Sequence, residues 1–461
     1  MDKRYNIAVI GGGPAGYVAA IRGAQLGAKV VLFEKDTVGG TCLNRGCIPS
    51  KVFLKTAEYI RHIGLASQRG IIMDSSFHVD MPGAVRYKDK VVKTLTGGVA
   101  SLLKANGVEL IKGSACLASA NTVECGGQLY ESDNIILCGG SEPAIPPIPG
   151  IDSRDVLTST ELLSIDKCPE RLCIIGGGVI GCELATAFSA FGSRVTIVEM
   201  ADRLTPMFEK EVSDEVTASL KRAGINVILG EKVLNIKALD SCSVVETGSG
   251  ELVCDKILAA VGRKPDLFCL GPLAGRIRVE NGHVWSDEYL ATNIPNIYAC
   301  GDLNGKMMLT HAAYHMGEIA AENCMGKRVK CNLNRTPNCM YTNPEVAVVG
   351  MTEEDALARY GERICIGRFK IGANGRAIAY DERAGYVKVV ADSHTGELLG
   401  AQIVGYMATE LINEAVAIME GEMTIRQAVS GIVHPHPSFS ECFYEACLDA
   451  LGRAVHLPPR K

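Results

Sequence analysis

Strong charge of either sign is missing from this sequence: its formal net charge is only −5, which excludes the electrostatic footprint of a nucleic-acid binder. No leader is expected either. Residues 1–5 run straight into a strand-like segment at 6–10 and leave no space for a signal or transit peptide, so a cytoplasmic protein, or a mature form already processed, is expected. Low-complexity segments and a lipoyl-type domain are both absent. The eighteen cysteines lack framework spacing, which favours buried thiols in a reducing compartment over a disulfide scaffold. The stretch 173–192 is apolar enough to suggest a membrane span. Glu183 stands in its middle and three glycines near its start, so a strand followed by a helix is expected instead.

What is present is a globular composition, 47% apolar and 21% charged, over 461 residues, room for about three domains. The first landmark is the strand-like run at 6–10, then Gly11-Gly12-Gly13-Pro14-Ala15-Gly16, a helical stretch to Gly27, and a second apolar run that ends at Glu34. Glycines in a Gly-x-Gly-x-x-Gly turn let backbone approach a pyrophosphate at a helix N-terminus, and the acid can accept from a ribose. The fingerprint then recurs. Gly11 maps to Gly176, Gly16 to Gly181, Gly27 to Gly192 and Glu34 to Glu199, all at one offset of 165, with Gly13 answered by Gly178. Two such units imply two dinucleotides, most economically FAD on the first and a nicotinamide nucleotide on the second. Glu199 suits a ribose diol and repels a 2′-phosphate, which favours NAD; Arg203 nearby is offset by Asp202.

Between the fingerprints lies Gly39-Gly40-Thr41-Cys42-Leu43-Asn44-Arg45-Gly46-Cys47-Ile48-Pro49-Ser50-Lys51. Four residues separate Cys42 and Cys47, a short loop that a disulfide can close if geometry permits. With no second Cys or His pair nearby in sequence, zinc is not indicated, and no metal is expected. A redox-active pair is the better reading in a reducing compartment.

This segment resembles the redox-disulfide motif of dihydrolipoamide dehydrogenases, within the glutathione-reductase-like flavoproteins. Glutathione reductases usually end the motif Val-Pro-Lys-Lys, where this chain has Ile48-Pro49-Ser50-Lys51. The resemblance extends through Val261-Gly262-Arg263-Lys264-Pro265 and Ile297-Tyr298-Ala299-Cys300-Gly301-Asp302 into the C-terminal third. It implies that Cys42 exchanges with a dithiol substrate while Cys47 lies against the flavin. It also implies that Lys51 sits by the flavin and pairs with Glu183, and that Asp302 contacts FAD. Two departures, Cys138-Gly139-Gly140 for the usual Ala-Thr-Gly and Asp266 for the usual Asn, touch local contacts only.

Residues 434–441 read His434-Pro435-His436-Pro437-Ser438-Phe439-Ser440-Glu441. Prolines hold this segment out of a helix, and 442–451 look helical. A dithiol needs a base near neutrality; histidine supplies one, and a carboxylate orients it and raises its pKa. The family motif matches His436 as the base and Glu441 as its partner, with His434 the less direct neighbour. Cys442 and Cys447 read as buried thiols rather than the free C-terminal pair of mercuric reductases.

The expected architecture is α/β: two Rossmann-like dinucleotide-binding domains, for FAD and NAD, plus a C-terminal α+β dimerisation domain. Its segments are 1–150 for FAD, 151–266 for NAD, 267–335 returning to the flavin domain, and 336–461 for the dimer interface. The resemblance implies a homodimer that oxidises a dihydrolipoyl group on a carrier protein, of a 2-oxoacid dehydrogenase complex or the glycine cleavage system. Another disulfide or mercuric reductase, or a flavin-binding interaction module with a vestigial redox site, are the alternatives.

Overall fold

The computed structural model describes residues 4–73 and 77–458. Residues 1–3, part of the segment from which the expectation about a leader was drawn, lie outside them. The chain opens with β1 (Arg4–Ile10), α1 (Pro14–Gln25) and β2 (Val30–Glu34). The cysteine segment follows as α2 (Gly40–Arg45) and α3 (Cys47–Leu65), then α4 (Met81–Ala105). Strands β3 (Glu109–Lys112), β4 (Ala115–Ser119), β5 (Thr122–Cys125) and β6 (Gln128–Leu137) close the first segment. The second fingerprint is β7 (Arg171–Ile175), α5 (Val179–Ala190) and β8 (Arg194–Glu199), continued by α6 (Lys210–Arg222) and β9 (Asn226–Leu229). After it come β10 (Ile297–Ala299) and α7 (Thr310–Cys324). The C-terminal part holds β11 (Asn338–Met340), β12 (Glu345–Gly350), β13 (Ile364–Lys370), β14 (Tyr386–Asp392), β15 (Leu398–Gly405), α8 (Ala408–Glu420) and α9 (Glu441–Ala450).

These elements gather into two compact units: residues to 147 with 156–168 and 258–333, and residues 148–155 with 169–257 and 334–461. In the first, strands run β3-β2-β1-β6-β5-β4, with β10 also on β6. The strands β3, β2, β1, β6 and β10 are parallel. Helices α1 and α4 pack on one face, and strands β4 and β5 with residues 267–273 on the other, so both faces must be apolar, and Ile7, Ala8, Val9 and Ile10 are all buried accordingly. Parallel strands place the turns after them at one edge, so the Gly11 turn, Cys138 and Cys300 share the carboxyl end of the sheet.

The second unit carries β9-β8-β7 as a parallel sheet. Its C-terminal part is an antiparallel sheet in the order β11-β12-β15-β14-β13. Apolar residues of β14, β15, α8 and α9 fill one core that includes Val387, Ile403, Ile412, Phe443, Cys442 and Cys447. The last two are buried, as the sequence suggested, and burial pushes the Cys442 thiol up to about 12. The apolar stretch 173–192 folds as the expected strand and helix, and among the described residues no helix is long and apolar enough to cross a membrane.

Candidate active site

The two glycine turns repeat in detail. Gly11 and Gly176 adopt φ of 101° and 110°, a region closed to most side chains. A Cβ on Gly16 or Gly181 would lie 1.8 or 2.1 Å from the carbonyl oxygen of Gly11 or Gly176, so the helix can start this close to the turn only without one. Glu34 accepts from the Gly12 and Asp36 amides at 2.8 Å each. Glu199 accepts from the Gly177 and Ala201 amides at 2.6 and 2.7 Å. The offset of 165 therefore holds in hydrogen bonds as well as letters.

Helices α1 and α5 begin without a side-chain cap, after Gly13 and Gly178 in matching extended conformations. Nothing lies within 4 Å of a Cβ built on Gly178, and only the Gly40 Cα at 3.7 Å faces one on Gly13. Uncapped first-turn amides, open space before them and a carboxylate at the next strand end fit a dinucleotide pyrophosphate and ribose. The residues present thus fit FAD on the first turn and NAD on the second.

Cys42 and Cys47 lie on two consecutive helices. Cys42 lies inside α2 and Cys47 is the first residue of α3, with Gly46 making the break between the helices. Cys42 is 8% exposed; its hydrogen bond to Cys47, then burial, push its thiol well up, against the pull of the Thr310 hydroxyl and Lys51. Cys47 Sγ lies 3.3 Å from Thr310 Oγ1. Lys51 follows one helical turn along α3, half-buried, with Nζ 3.5 Å from Ser50 Oγ.

Asp302 stands beyond β10, where Ser141 Oγ donates to it at 2.5 Å. Arg263 donates through Nε to Ser141 Oγ at 2.7 Å and through a terminal nitrogen to Ser141 O at 2.6 Å, with Nε 3.9 Å from the Asp302 carboxylate. Sequence reasoning misses both Arg263 and Ser141: Arg263 lies inside the Val261-Gly262-Arg263-Lys264-Pro265 motif, while no local pattern marks Ser141.

In the second unit Glu183 is 4% exposed on α5, and its Oε1 accepts from the Tyr341 amide at 2.9 Å. His436 Nδ1 and Glu441 Oε1 are 2.8 Å apart, while Glu441 Oε2 accepts from the Ser438 amide at 2.8 Å. Burial works against that carboxylate, but the Ser438 amide and the His436 ring together hold it below the usual range. The His436 side chain is 79% exposed and open to a bulky partner. His434 is directed elsewhere, with Nε2 2.7 Å from Glu414 Oε1.

The chain as a whole is similar to known proteins. The family described as pyridine nucleotide-disulphide oxidoreductase matches residues 5–317, and its dimerisation domain matches 336–447. A dihydrolipoyl dehydrogenase of Bacillus subtilis is 39% identical over 457 residues, covering 98% of this chain and 99% of that one. One from Thermus scotoductus is 39% identical over 464 residues, covering 99% of each. Among solved structures, the Cu(II) complex of RclA, an HOCl-induced flavoprotein disulfide reductase of Escherichia coli, aligns with a TM-score of 0.87 at 28% identity. It covers 96% of this chain and 99% of its own.

Proposed function

Because the chain belongs to the pyridine nucleotide-disulphide oxidoreductase family, we propose that it is a dihydrolipoyl dehydrogenase, oxidising a carrier-bound dihydrolipoyl group with NAD. The observation that carries this reading is the presence in one chain of an asymmetric cysteine couple, Cys42 buried and Cys47 half-buried, and of an exposed, carboxylate-oriented histidine. Since His436 offers Nδ1 to Glu441, the ring is held with Nε2 free to accept a proton. Nε2 takes the proton of one dihydrolipoyl thiol, and the thiolate attacks Cys42 of the oxidised pair. Cys47 leaves as a thiolate; the second substrate thiol then displaces Cys42, releasing the cyclic disulfide. FAD, when bound, accepts the electron pair of the dithiol and passes it to NAD. The Gly11 and Gly176 turns bind the two dinucleotides, and Asp302, placed by Ser141 and Arg263, holds the flavin end.

Lys51 and Glu183 complete the reading as a pair beside the flavin. Glu183 is buried, and a lysine beside it would offset the cost of burying its charge. The dimerisation domain, matched over 336–447, underlies a homodimer in which His436 serves the cysteines of the other subunit. A second reading, a disulfide or metal-ion reductase, is favoured by the likeness to the copper-bound RclA structure. Parallel assays with dihydrolipoamide and NAD, with glutathione disulfide, and with mercuric and cupric ions decide between them. Turnover with dihydrolipoamide at least a hundred-fold above the others is expected; preference for a metal ion would reverse the choice.

A further inference from the structure

We propose that Asn374 and Arg376 are positioning residues for the base: by holding the carbonyls of Ser438 and Pro437 they fix the backbone on which Glu441, and through it His436, is aligned. The inference rests on the dithiol chemistry assigned above and deepens it. His436 is mostly exposed, so burial does not fix its ring; the Glu441 carboxylate does, at 2.8 Å. Glu441 takes its own direction from the Ser438 amide, also at 2.8 Å. The base is therefore only as well placed as the backbone at 437–438, which lies outside any helix or strand. Something else must hold that backbone.

Two side chains from one short segment do so. Asn374 is 5% exposed and stands just before the short helix Gly375–Tyr380. Its Oδ1 accepts from the Ala377 amide at 3.0 Å, which leaves Nδ2 to donate to the Ser438 carbonyl at 2.9 Å. The oxygen begins the helix and the nitrogen holds the loop; an aspartate could do only the first. Arg376 donates through Nη1 to the Pro437 carbonyl at 3.3 Å and through Nη2 to the Tyr380 hydroxyl at 2.9 Å. Its guanidinium carbon lies 4.8 Å from the centre of the Tyr380 ring and 5.9 Å from that of Phe439. Phe439 is buried and meets Tyr380 edge-on at 5.9 Å, so the loop is also pinned one residue further along. The Pro437 carbonyl and the Ser438 amide belong to one peptide unit. A cation thus sits at one end of that unit and the Glu441 carboxylate at the other. Drawing on the carbonyl makes the opposite N–H a stronger donor, so Arg376 tightens the grip on Glu441 without touching it.

The test compares wild type with Asn374→Asp, Arg376→Ala and Arg376→Lys, and reads the ring as well as the rate. With isotope-labelled histidine, NMR of the ring nitrogens in alkaline buffer shows which of them carries the proton. The His436 signals are identified by their loss in His436→Gln. Wild type should hold Nδ1 protonated and Nε2 bare, whereas Asn374→Asp and Arg376→Ala should mix in the other tautomer. In stopped flow of the flavin-loaded enzyme, dihydrolipoamide should reduce both variants about ten-fold more slowly than wild type, while NAD reoxidises all of them at similar rates. A loss of stability alone would not divide the half-reactions in this way. Arg376→Lys keeps a cationic donor and should fall between Arg376→Ala and wild type. The wild-type tautomer in both variants, or an equal slowing of both half-reactions, overturns the proposal. If Asn374→Asp does not fold, as judged by circular dichroism, the Arg376 variants are read in the same way. A tautomer change in a protein whose wild type dihydrolipoamide does not reduce sinks the dehydrogenase reading alone. Rapid reduction of every variant with the His436 ring unchanged sinks only the positioning of the base.

Discussion

At the scale of single residues, the sequence announced those whose chemistry is local to a motif. Cys42, Cys47, Gly11, Gly16, Glu34 and their counterparts at 176, 181 and 199 act through spacing, and spacing is visible in one dimension. Ser141, Arg263 and Thr310 act through contacts across 161, 122 and 263 positions of chain, which no local pattern encodes. Glu199 illustrates a residue legible in kind but not in detail. Its carboxylate was expected to face a ribose; the structure adds that it also clasps the Gly177 and Ala201 amides. Replacing Glu199 by Arg removes repulsion toward a 2′-phosphate and loosens the turn at once. Steady-state kinetics should show kcat/KM for NAD falling while the ratio of NAD to NADP efficiency narrows by about ten-fold or more. An unchanged ratio would mean that nucleotide choice is made elsewhere.

Elements were legible where hydrophobic period and glycine punctuation agree, as in β1-α1-β2 and β7-α5-β8. The cysteine segment was not, because α2 has only 6 residues and one glycine divides it from α3. Equally hidden was the join inside the second unit, where Lys388 of β14 is 1% exposed. Its ammonium contacts Glu209 and Glu211 at the start of α6 and Glu353 from the C-terminal part, the last two at 3.2 Å. The three carboxylates are close enough to share a cation, and the lysine supplies it. Lys388→Ala removes the buried ammonium and leaves Arg368 beside Glu353 and Glu211, at 2.5 and 3.6 Å, and should cost about 3 kcal/mol or more of stability in urea, partly recovered by Glu209→Gln in the same chain. If the double variant is no more stable than the single, the carboxylates are not what the lysine offsets.

Asp155 gives the same unit a pH dependence. Lys256 Nζ donates to it at 2.6 Å and Ser243 Oγ at 3.0 Å. The lysine, against the penalty of burial, holds the carboxyl below its ordinary 3.8. A carboxyl whose pKa is depressed by folding stabilises the protein above the unfolded value and loses that contribution as pH falls through the folded one. The difference in urea midpoint between wild type and Asp155→Asn should therefore be constant above about pH 5 and shrink below about pH 4. A gap that widens in acid would reverse the sign and discard the assignment.

At the scale of the whole molecule the cysteine couple belongs to one compact unit and His436 to the other, near the end of a domain matched to the family's dimerisation part. The proposed homodimer turns that separation into a test. In a twofold dimer each tail can reach its partner's cysteines, and symmetry makes two composite sites. Cys47→Ser and His436→Gln homodimers should each be nearly inactive, since every site in them carries one lesion. Dissociated together and reassembled, they form mixed dimers in which one site carries both lesions and the other none. Random mixing makes about half the dimers mixed, each with one intact site of two, so about one quarter of wild-type activity should return. If His436 served the cysteines of its own chain, every site in a mixed dimer would still hold one lesion and nothing would return. Mass spectrometry of the native dimers establishes that mixing took place, and recovery in its presence places the base on the opposite subunit.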